Sequence, residues 1–168
     1  MARETAPQPP IGCHTPYSYS RKLRIEKRLG QRNGDIPRYF DWKVKASVWS
    51  CPSFVELRRE GMATDRWNLL HPEQAPQVPY VSQLLSGSEV PVVAATDYMR
   101  AVPDQVRQWV PARYATLGTD GFGRSDCRAQ LRAHFEVDRR YVVVAALKSL
   151  ADEGALDAAV VAKAIAAY

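Results

Sequence analysis

The most constraining stretch of this 168-residue sequence lies between residues 113 and 126, where a short strand leads into a glycine-rich turn and a helix start. Arg113–Leu117 combines an aromatic residue, a β-branched residue and a leucine, which predicts a strand. Ser125 or Asp126 is a suitable N-cap for a helix over Cys127–Glu136. Glycines in the turn can adopt φ > 0 without a Cβ clash. The turn contains Gly118, Gly121 and Gly123. A strand, a glycine turn and a capped helix in this order form the βα corner of an open α/β sheet, the place where such folds bind ligands.

The rest of the sequence predicts two more strands, with helical segments between them. Val44–Ser50 alternates along its length, and Val90–Ala95 is a short apolar run of the kind that is buried on both faces. A capping box formed by Ser53 and Glu56 begins a helix that Gly61 is expected to end. Further helices are predicted over residues 64–70, 80–85, 97–110, 127–136, 138–153 and 157–168. Strands separated by helices favour parallel pairing with right-handed crossovers. We therefore expect an α/β fold with a small open, mainly parallel sheet flanked by helices.

Residues 1–40 differ in charge from the rest of the chain. They contain eight Lys and Arg against three Asp and Glu, which equals the +5 net charge of the whole chain. Met1–Tyr19 is rich in proline, which predicts an extended or disordered arm, and Ser20–Arg32 is predicted to form a short basic helix. We accordingly divide the chain into a basic, Pro-rich, poorly ordered segment, residues 1–40, and an α/β domain, residues 41–168.

Two interpretations of the basic segment stay open. In one, the chain is an adaptor whose arm, Arg21–Arg32, binds nucleic acid through its positive charge. In the other, which we favour, residues 1–40 are a solvated tail joined to the domain by truncation or altered gene structure. We therefore do not expect nucleic acid to be the partner of this chain.

Polar residues that follow the predicted strands are the candidates for chemistry. Asp97, Asp120 and Asp126 could bind a cation or act as acid–base groups. The favoured interpretation is helix capping for Asp97 and Asp126, and turn formation for Asp120. Arg124 could make a bidentate contact with a carboxylate or phosphate, and we favour an ion pair across a domain or subunit boundary. His71 precedes Pro72 and is expected to end a helix rather than to act as a base.

Composition excludes several classes of protein. No apolar run approaches the roughly 20 residues that a membrane helix needs. The first 40 residues contain no apolar core of a secretory signal. Cys13, Cys51 and Cys127 are odd in number and far apart, which favours reduced thiols in the cytoplasm over a disulfide framework.

The segment GTDGFGRSD resembles a signature near the C-terminus of the homodimeric pyruvate dehydrogenase E1 component, a thiamine-diphosphate enzyme of the transketolase superfamily. The resemblance runs from about Trp42 to the end of the chain and does not reach residues 1–40. Further matching segments are Trp49–Ser50, Ser53–Phe54, Glu56–Arg58, Gly61–Met62, Arg66–Asn68, Leu70–Pro72, Val78–Val81, Ala95–Arg100, Phe135–Asp138 and Tyr141–Leu147.

The resemblance implies a transketolase C-terminal-domain-like fold. In the family this domain begins with an additional strand, which ends in a Gly-Ser-Gly turn, and a helix. Nothing in residues 1–40 reproduces that pair. We therefore expect a domain that lacks its first strand–helix unit and exposes an unpaired strand edge.

The resemblance also implies a reaction, the decarboxylation of pyruvate and the reductive acetylation of lipoyl groups on an E2 acetyltransferase. The family uses thiamine diphosphate and Mg, held by a Gly-Asp-Gly…Asn motif and a glutamate in the two preceding domains. Neither that motif nor that coenzyme-binding glutamate occurs in this chain. We therefore expect a truncated or split form that has no catalytic, cofactor-binding or metal-binding residue and is inactive alone. Its implied partners are an E1 dimer-mate or a chain that supplies the missing domains, and E2 through the full complex. The candidate interface residues are Gly118, Asp120, Gly121, Gly123, Arg124 and Asp126.

Overall fold

The computed structural model describes residues 21–26, 42, 44–87 and 90–168. The described strands are β1 (Arg21–Glu26), β2 (Lys45–Ser50), β3 (Val92–Ala95) and β4 (Tyr114–Leu117). The described helices are α1 (Phe54–Leu70), α2 (Tyr80–Leu85), α3 (Ala101–Asp104), α4 (Arg128–His134), α5 (Arg139–Asp152) and α6 (Ala158–Ala167), with a short 3₁₀ turn over Arg107–Trp109.

The four described strands form one sheet in the order β2-β1-β3-β4. β1 pairs antiparallel with both β2 and β3, and β3 pairs parallel with β4. Three of the four strands, β2, β3 and β4, therefore run in the same direction. The expected small α/β fold with a mainly parallel sheet is confirmed in this sense.

The position of β1 corrects one expectation. The predicted basic helix over Ser20–Arg32 is wrong across Arg21–Glu26, which is a strand paired with β2 along its length and with β3 over Arg21–Arg24. Apolar Leu23 and Ile25 alternate with charged neighbours, a period of two that suits a strand better than a helix. The remaining part of the predicted helix lies outside the described residues, and the division of the chain at residue 40 stays a prediction.

Two apolar cores lie on opposite faces of the sheet, and the side chains of β3 alternate between them. Val92 and Ala94 are buried with residues of α1 and α2, including Phe54 and Val81. Val93, between them, is buried on the opposite face with residues of α5. Because successive side chains of a strand point to opposite faces, an apolar run such as β3 contributes to both cores at once. α6 packs behind α5.

α1 does not stop at Gly61 as predicted, and the two expected helices are one helix of 17 residues. The hydroxyl of Ser53 accepts the N–H of Glu56 at 3.2 Å, as the capping box predicts. Gly61 is buried, and a Cβ at this position would lie 2.7 Å from the indole ring of Trp109. The indole N–H of Trp109 donates to Asp65, one helical turn further along, at 2.9 Å. Because Gly61 has no side chain, the Trp109 ring can pack against the helix backbone at this position, and the helix continues past the glycine.

The long C-terminal helix agrees with the sequence. α5 begins after Asp138, whose carboxylate accepts the N–H groups of Arg140 and Tyr141, and Gly154 follows with φ +70. Three consecutive valines do not make this segment a strand, because a good N-cap and a C-terminal glycine fix both ends of a helix.

No helix in the described part of the chain is long and apolar enough to span a bilayer.

We predict that Gly61→Ala lowers the free energy of unfolding by about 1–3 kcal/mol, because the added methyl group overlaps the Trp109 ring. Urea unfolding followed by tryptophan fluorescence measures the change. Gly123→Ala is the matched control, since a Cβ there meets nothing within 4 Å; its effect should stay within about 0.5 kcal/mol. Equal effects of the two substitutions would contradict the packing explanation.

Candidate functional site

The glycine loop, residues 118–126, follows β4 and lies beside the loop that follows β3. The carboxyl ends of two parallel neighbours meet at one edge of a sheet, so these loops are adjacent. The N–H of Thr119 donates to the carbonyl of Tyr98 at 2.9 Å, and its hydroxyl donates to the carbonyl of Asp97 at 2.9 Å. A Cβ on Gly118 would lie 2.6 Å from backbone atoms of Tyr98 and Arg100. Glycine is thus required where the two loops cross.

Asp120 holds the β3 loop through Arg100. Its carboxylate accepts the backbone N–H of Arg100 at 2.9 Å and the guanidinium Nε–H at 2.5 Å. The hydrogen bond from the Arg100 side chain, followed by that from its backbone, lowers the pKa of Asp120. The same contact raises the pKa of Arg100. Asp120 is therefore an ion-paired connector between the two loops.

Asp97 has a different role from the one predicted. It was expected to cap a helix over residues 97–110, but α3 begins only at Ala101. Instead, its carboxylate accepts two hydrogen bonds from Arg132 of α4, at 3.0 and 2.6 Å, and this contact raises the pKa of Arg132. The bidentate pair fixes α4 to the loop after β3.

Asp126 lies just before the helix start. Its carboxylate accepts the N–H of Cys127 at 2.7 Å, while Cys127 is the N-cap residue of α4 and makes no side-chain capping bond. The predicted cap is therefore one residue early, although Asp126 still binds the amide at the entry to the helix.

Within residues 21–26, 42, 44–87 and 90–168, no group of three or more His, Cys, Asp and Glu side chains could hold a metal ion.

The tip of the glycine loop projects into solvent. Gly121 has φ +97, which favours glycine, and Phe122 is 97% exposed. Arg124 is also exposed, and it has no ion pair with any residue that the structure describes. A cleft of about 480 Å³ beside the tip is lined by Leu117, Phe122 and Phe135 together with charged residues that include Arg124 and Glu136. An exposed phenylalanine beside an arginine is typical of a protein contact, since both types are enriched at interface hot spots.

Phe122 was missed at the sequence level, although a signal is present. It is an aromatic residue between two glycines, which leave it few neighbours in its own chain.

His71 lies where the sequence places it, at the end of α1. Its ring is stacked on that of Trp67, and its Nδ1 lies 2.8 Å from the carbonyl oxygen of Trp67.

Comparison with known proteins adds the family. The family model described as the transketolase-like TK C-terminal domain matches residues 38–138. The chain is 57% identical over 129 residues to the pyruvate dehydrogenase E1 component of Pseudomonas aeruginosa. These aligned residues make up 76% of this chain and 15% of that protein. It is 54% identical over 129 residues to the E1 component of Escherichia coli, covering 76% of this chain and 14% of that protein. The E1 component of Mycobacterium tuberculosis is 48% identical over 120 residues, covering 71% and 13% respectively. The chain thus spans only about 13–15% of the length of these relatives.

We predict that Arg100→Gln moves the pKa of Asp120 back towards its ordinary value of about 3.9, but not fully, because the backbone N–H of Arg100 remains. The folded pKa of Asp120 is depressed, so its contribution to stability is complete above the unfolded pKa. It is lost as the pH falls through the folded pKa. The variant should therefore lose less stability on acidification than the parent protein.

A carboxyl titration by NMR, together with urea unfolding at a series of acidic pH values, tests this prediction. Arg128→Gln is the control, since Arg128 is exposed and makes no ion pair within the described residues. An unchanged Asp120 titration in Arg100→Gln would show that the guanidinium does not depress that pKa.

Proposed function

The chain belongs to the transketolase-like C-terminal domain family, and on this basis we propose that it is the C-terminal assembly domain of a thiamine-diphosphate-dependent pyruvate dehydrogenase (acetyl-transferring) E1 component. The observation that carries the proposal is 57% identity over 129 residues to an E1 component. The family-model match, residues 38–138, includes the glycine loop and the strands β2, β3 and β4.

In our proposal the chain is a truncated or split form that does not catalyse alone. The coenzyme and Mg of the family would need carboxylates that are free to bind a metal–diphosphate group. Asp97 and Asp120 are committed to arginines, and Asp126 binds a backbone amide. These three carboxylates therefore do not fit such a site, and we assign no catalytic step to this chain.

The proposed role is assembly, and the proposed contact is the exposed tip of the glycine loop. The base of the loop is fixed by the pairs Arg100–Asp120 and Asp97–Arg132, so the tip is presented in one geometry. Preorganisation of this kind lowers the entropy cost of association. The partner is an E1 chain that carries the other domains, in a cytoplasmic complex that includes the E2 acetyltransferase.

The nucleic-acid adaptor has less support. It requires the basic segment Arg21–Arg32 as a free arm, whereas Arg21–Glu26 pairs with β2 within the sheet, and Arg21–Arg24 pairs with β3 as well. No contact in the described part of the chain favours this alternative, so we do not propose it.

We predict that thiamine diphosphate with Mg²⁺ gives no saturable heat when titrated into this chain, because the loop carboxylates Asp97, Asp120 and Asp126 are already engaged within the chain. Isothermal titration calorimetry measures this directly. The full-length Pseudomonas aeruginosa E1 component, in the same buffer, is the positive control. Saturable binding to the chain alone would refute the proposal that it lacks a coenzyme site.

We further predict that Phe122→Ala and Arg124→Ala weaken association with a Pseudomonas aeruginosa E1 chain from which the matched C-terminal region has been deleted. Truncating an interface hot spot costs at least about 1 kcal/mol, or roughly fivefold in Kd. Arg128→Ala is the matched control, because it removes an exposed arginine of α4 and leaves the loop tip intact. Surface plasmon resonance measures the three affinities. Equal losses for all three variants would place the contact elsewhere.

A further inference from the structure

The residue that follows the end of α4 has a backbone conformation that L-amino acids rarely adopt. Glu136 has a φ of 59°, and among the described residues no other residue besides glycine has a positive φ. The N–H of Val137 donates to the carbonyl of Arg132 at 3.0 Å, and the N–H of Glu136 donates to that of Ala133 at 3.2 Å. These two bonds form a Schellman motif, in which Glu136 is the C′ residue after the C-cap Phe135. Glycine is the usual residue at this position, because it has no Cβ to clash.

α5 ends in the same motif, and there the matching residue is a glycine. The N–H of Ala155 donates to the carbonyl of Leu150 at 2.9 Å, and the N–H of Gly154 donates to that of Ala151 at 3.0 Å. Gly154 has a φ of 70°, and a Cβ at this position would meet nothing within 4 Å. Glycine at the end of α5 therefore serves the backbone alone. The comparison indicates that the side chain of Glu136, and not the turn, is the reason for a glutamate at the end of α4.

The charge of Glu136 is also unfavourable at this position. The C-terminus of a helix carries a partial negative charge, so a carboxylate there is repelled. The side chain is exposed, and within the part of the chain that the structure describes it has neither a hydrogen bond nor an ion pair. A left-handed backbone at a residue other than glycine costs free energy, and such strain clusters at binding and active sites. This combination points to a contact that the Glu136 side chain makes only on association.

Glu136 lines the cleft of about 480 Å³ beside the tip of the glycine loop. Asp120 and Arg100 of the same lining pair with each other at 2.5 Å. Arg124 and Glu136 also line the cleft, but they form no ion pair with each other or with any other described residue. The cleft thus contains one cation and one anion whose charges are not neutralised by a described neighbour.

The apolar part of the lining consists of Leu117, Phe122 and Phe135. A ligand with charges of one sign only would pair with either Arg124 or Glu136 and be repelled by the other. A segment that carries an apolar side chain, a basic group and a carboxylate complements all three features of the cleft. Complementary charges of this kind determine which partner is accepted and in which register it binds.

We propose that Glu136 is a binding and specificity residue of this cleft. The cleft accepts a segment of the partner E1 chain that carries an apolar side chain together with a basic group, which pairs with Glu136, and a carboxylate, which pairs with Arg124. The unfavourable glutamate at the end of α4 is retained because it presents this carboxylate to the partner. The inference rests on the proposed assembly role of the chain.

The first test measures stability without a partner. Glu136→Gly should raise the Tm by about 2–4 °C, because glycine relieves the left-handed backbone at this position. Thermal unfolding followed by circular dichroism measures the shift. Glu73→Gly is the matched control, since Glu73 is exposed, does not line the cleft and has no positive φ; it should not raise the Tm. A Tm that Glu136→Gly leaves unchanged or lowers would overturn the proposal, because the glutamate would then not be held at a cost.

The second test measures affinity for the Pseudomonas aeruginosa E1 chain that lacks the matched C-terminal region, by surface plasmon resonance. Glu136→Gln should bind about fivefold more weakly than the parent chain, because it loses the charge pair. Glu136→Lys should bind about a further tenfold more weakly, since like charges then face each other. Glu136→Gly should combine a higher Tm with a weaker affinity, which a purely structural role of Glu136 would not produce.

Glu73→Gln and Glu73→Lys are the matched controls for affinity, because they change the net charge of the chain by the same amounts at a residue outside the cleft. Their Kd should equal that of the parent chain. The difference in Kd between the parent chain and Glu136→Gln should also shrink between about 0.1 M and about 1 M NaCl, as the Debye length falls from about 10 Å to about 3 Å.

Two results of the affinity test would overturn the inference and leave the proposed assembly role standing. In the first, the parent chain associates with the truncated E1 chain, and Glu136→Gln and Glu136→Lys bind as tightly as the parent. In the second, Glu136→Lys binds no more weakly than Glu136→Gln, so that no basic group faces this position. A parent chain that does not associate with the truncated E1 chain at all would overturn the assembly role, and this inference with it.

Discussion

Backbone hydrogen bonding on both edges of β1 is the interaction on which the rest of the sheet depends. Without β1, β2 would have no described partner strand, and β3 would lose its pairing on one side. The helices of both layers pack on residues of β3, including Val92 and Val93. Each unsatisfied N–H or C=O of an apolar strand carries a desolvation cost, so the two cores need a strand between β2 and β3. This strand, Arg21–Glu26, comes from outside the family-matched region. In this respect the chain differs from a simple excerpt of its relatives.

The second constraint is the crossing of the loops after β3 and β4. Gly118 allows the backbones to approach, and Asp120 and Asp97 use arginines to fix them. The carboxylates that a reader of the sequence would first assign to a cation or to catalysis are thereby committed to structure. What remains exposed is Phe122 with Arg124, a pair suited to contact with another protein surface. The engaged carboxylates of these loops and the exposed aromatic tip are the observations that led us to propose an assembly role.

Much of this architecture could be predicted from local signals. The strands β2, β3 and β4, the capping box of α1, the extent of α5 and the α/β class follow from periodicity, N-caps and glycine positions. The errors arose where a distant contact decided the outcome. Gly61 looks like a helix stop until Trp109, 48 positions later, is seen to pack on it. Asp97 looks like a cap until Arg132 is brought beside it by α4. β1 looks like a basic helix because its partners, β2 and β3, begin 19 or more residues later in the chain.

The central claim is that residues of the basic N-terminal segment complete the sheet of an E1 C-terminal domain. Amide hydrogen exchange of the isolated chain, read residue by residue, tests it most directly. We predict that the amides of Arg21–Arg24 are protected to an extent comparable with those of Val92–Ala95, because both stretches are paired with a neighbouring strand on two sides. Exchange of Arg21–Arg24 at the rate of an unfolded peptide, with Val92–Ala95 still protected, would contradict this claim.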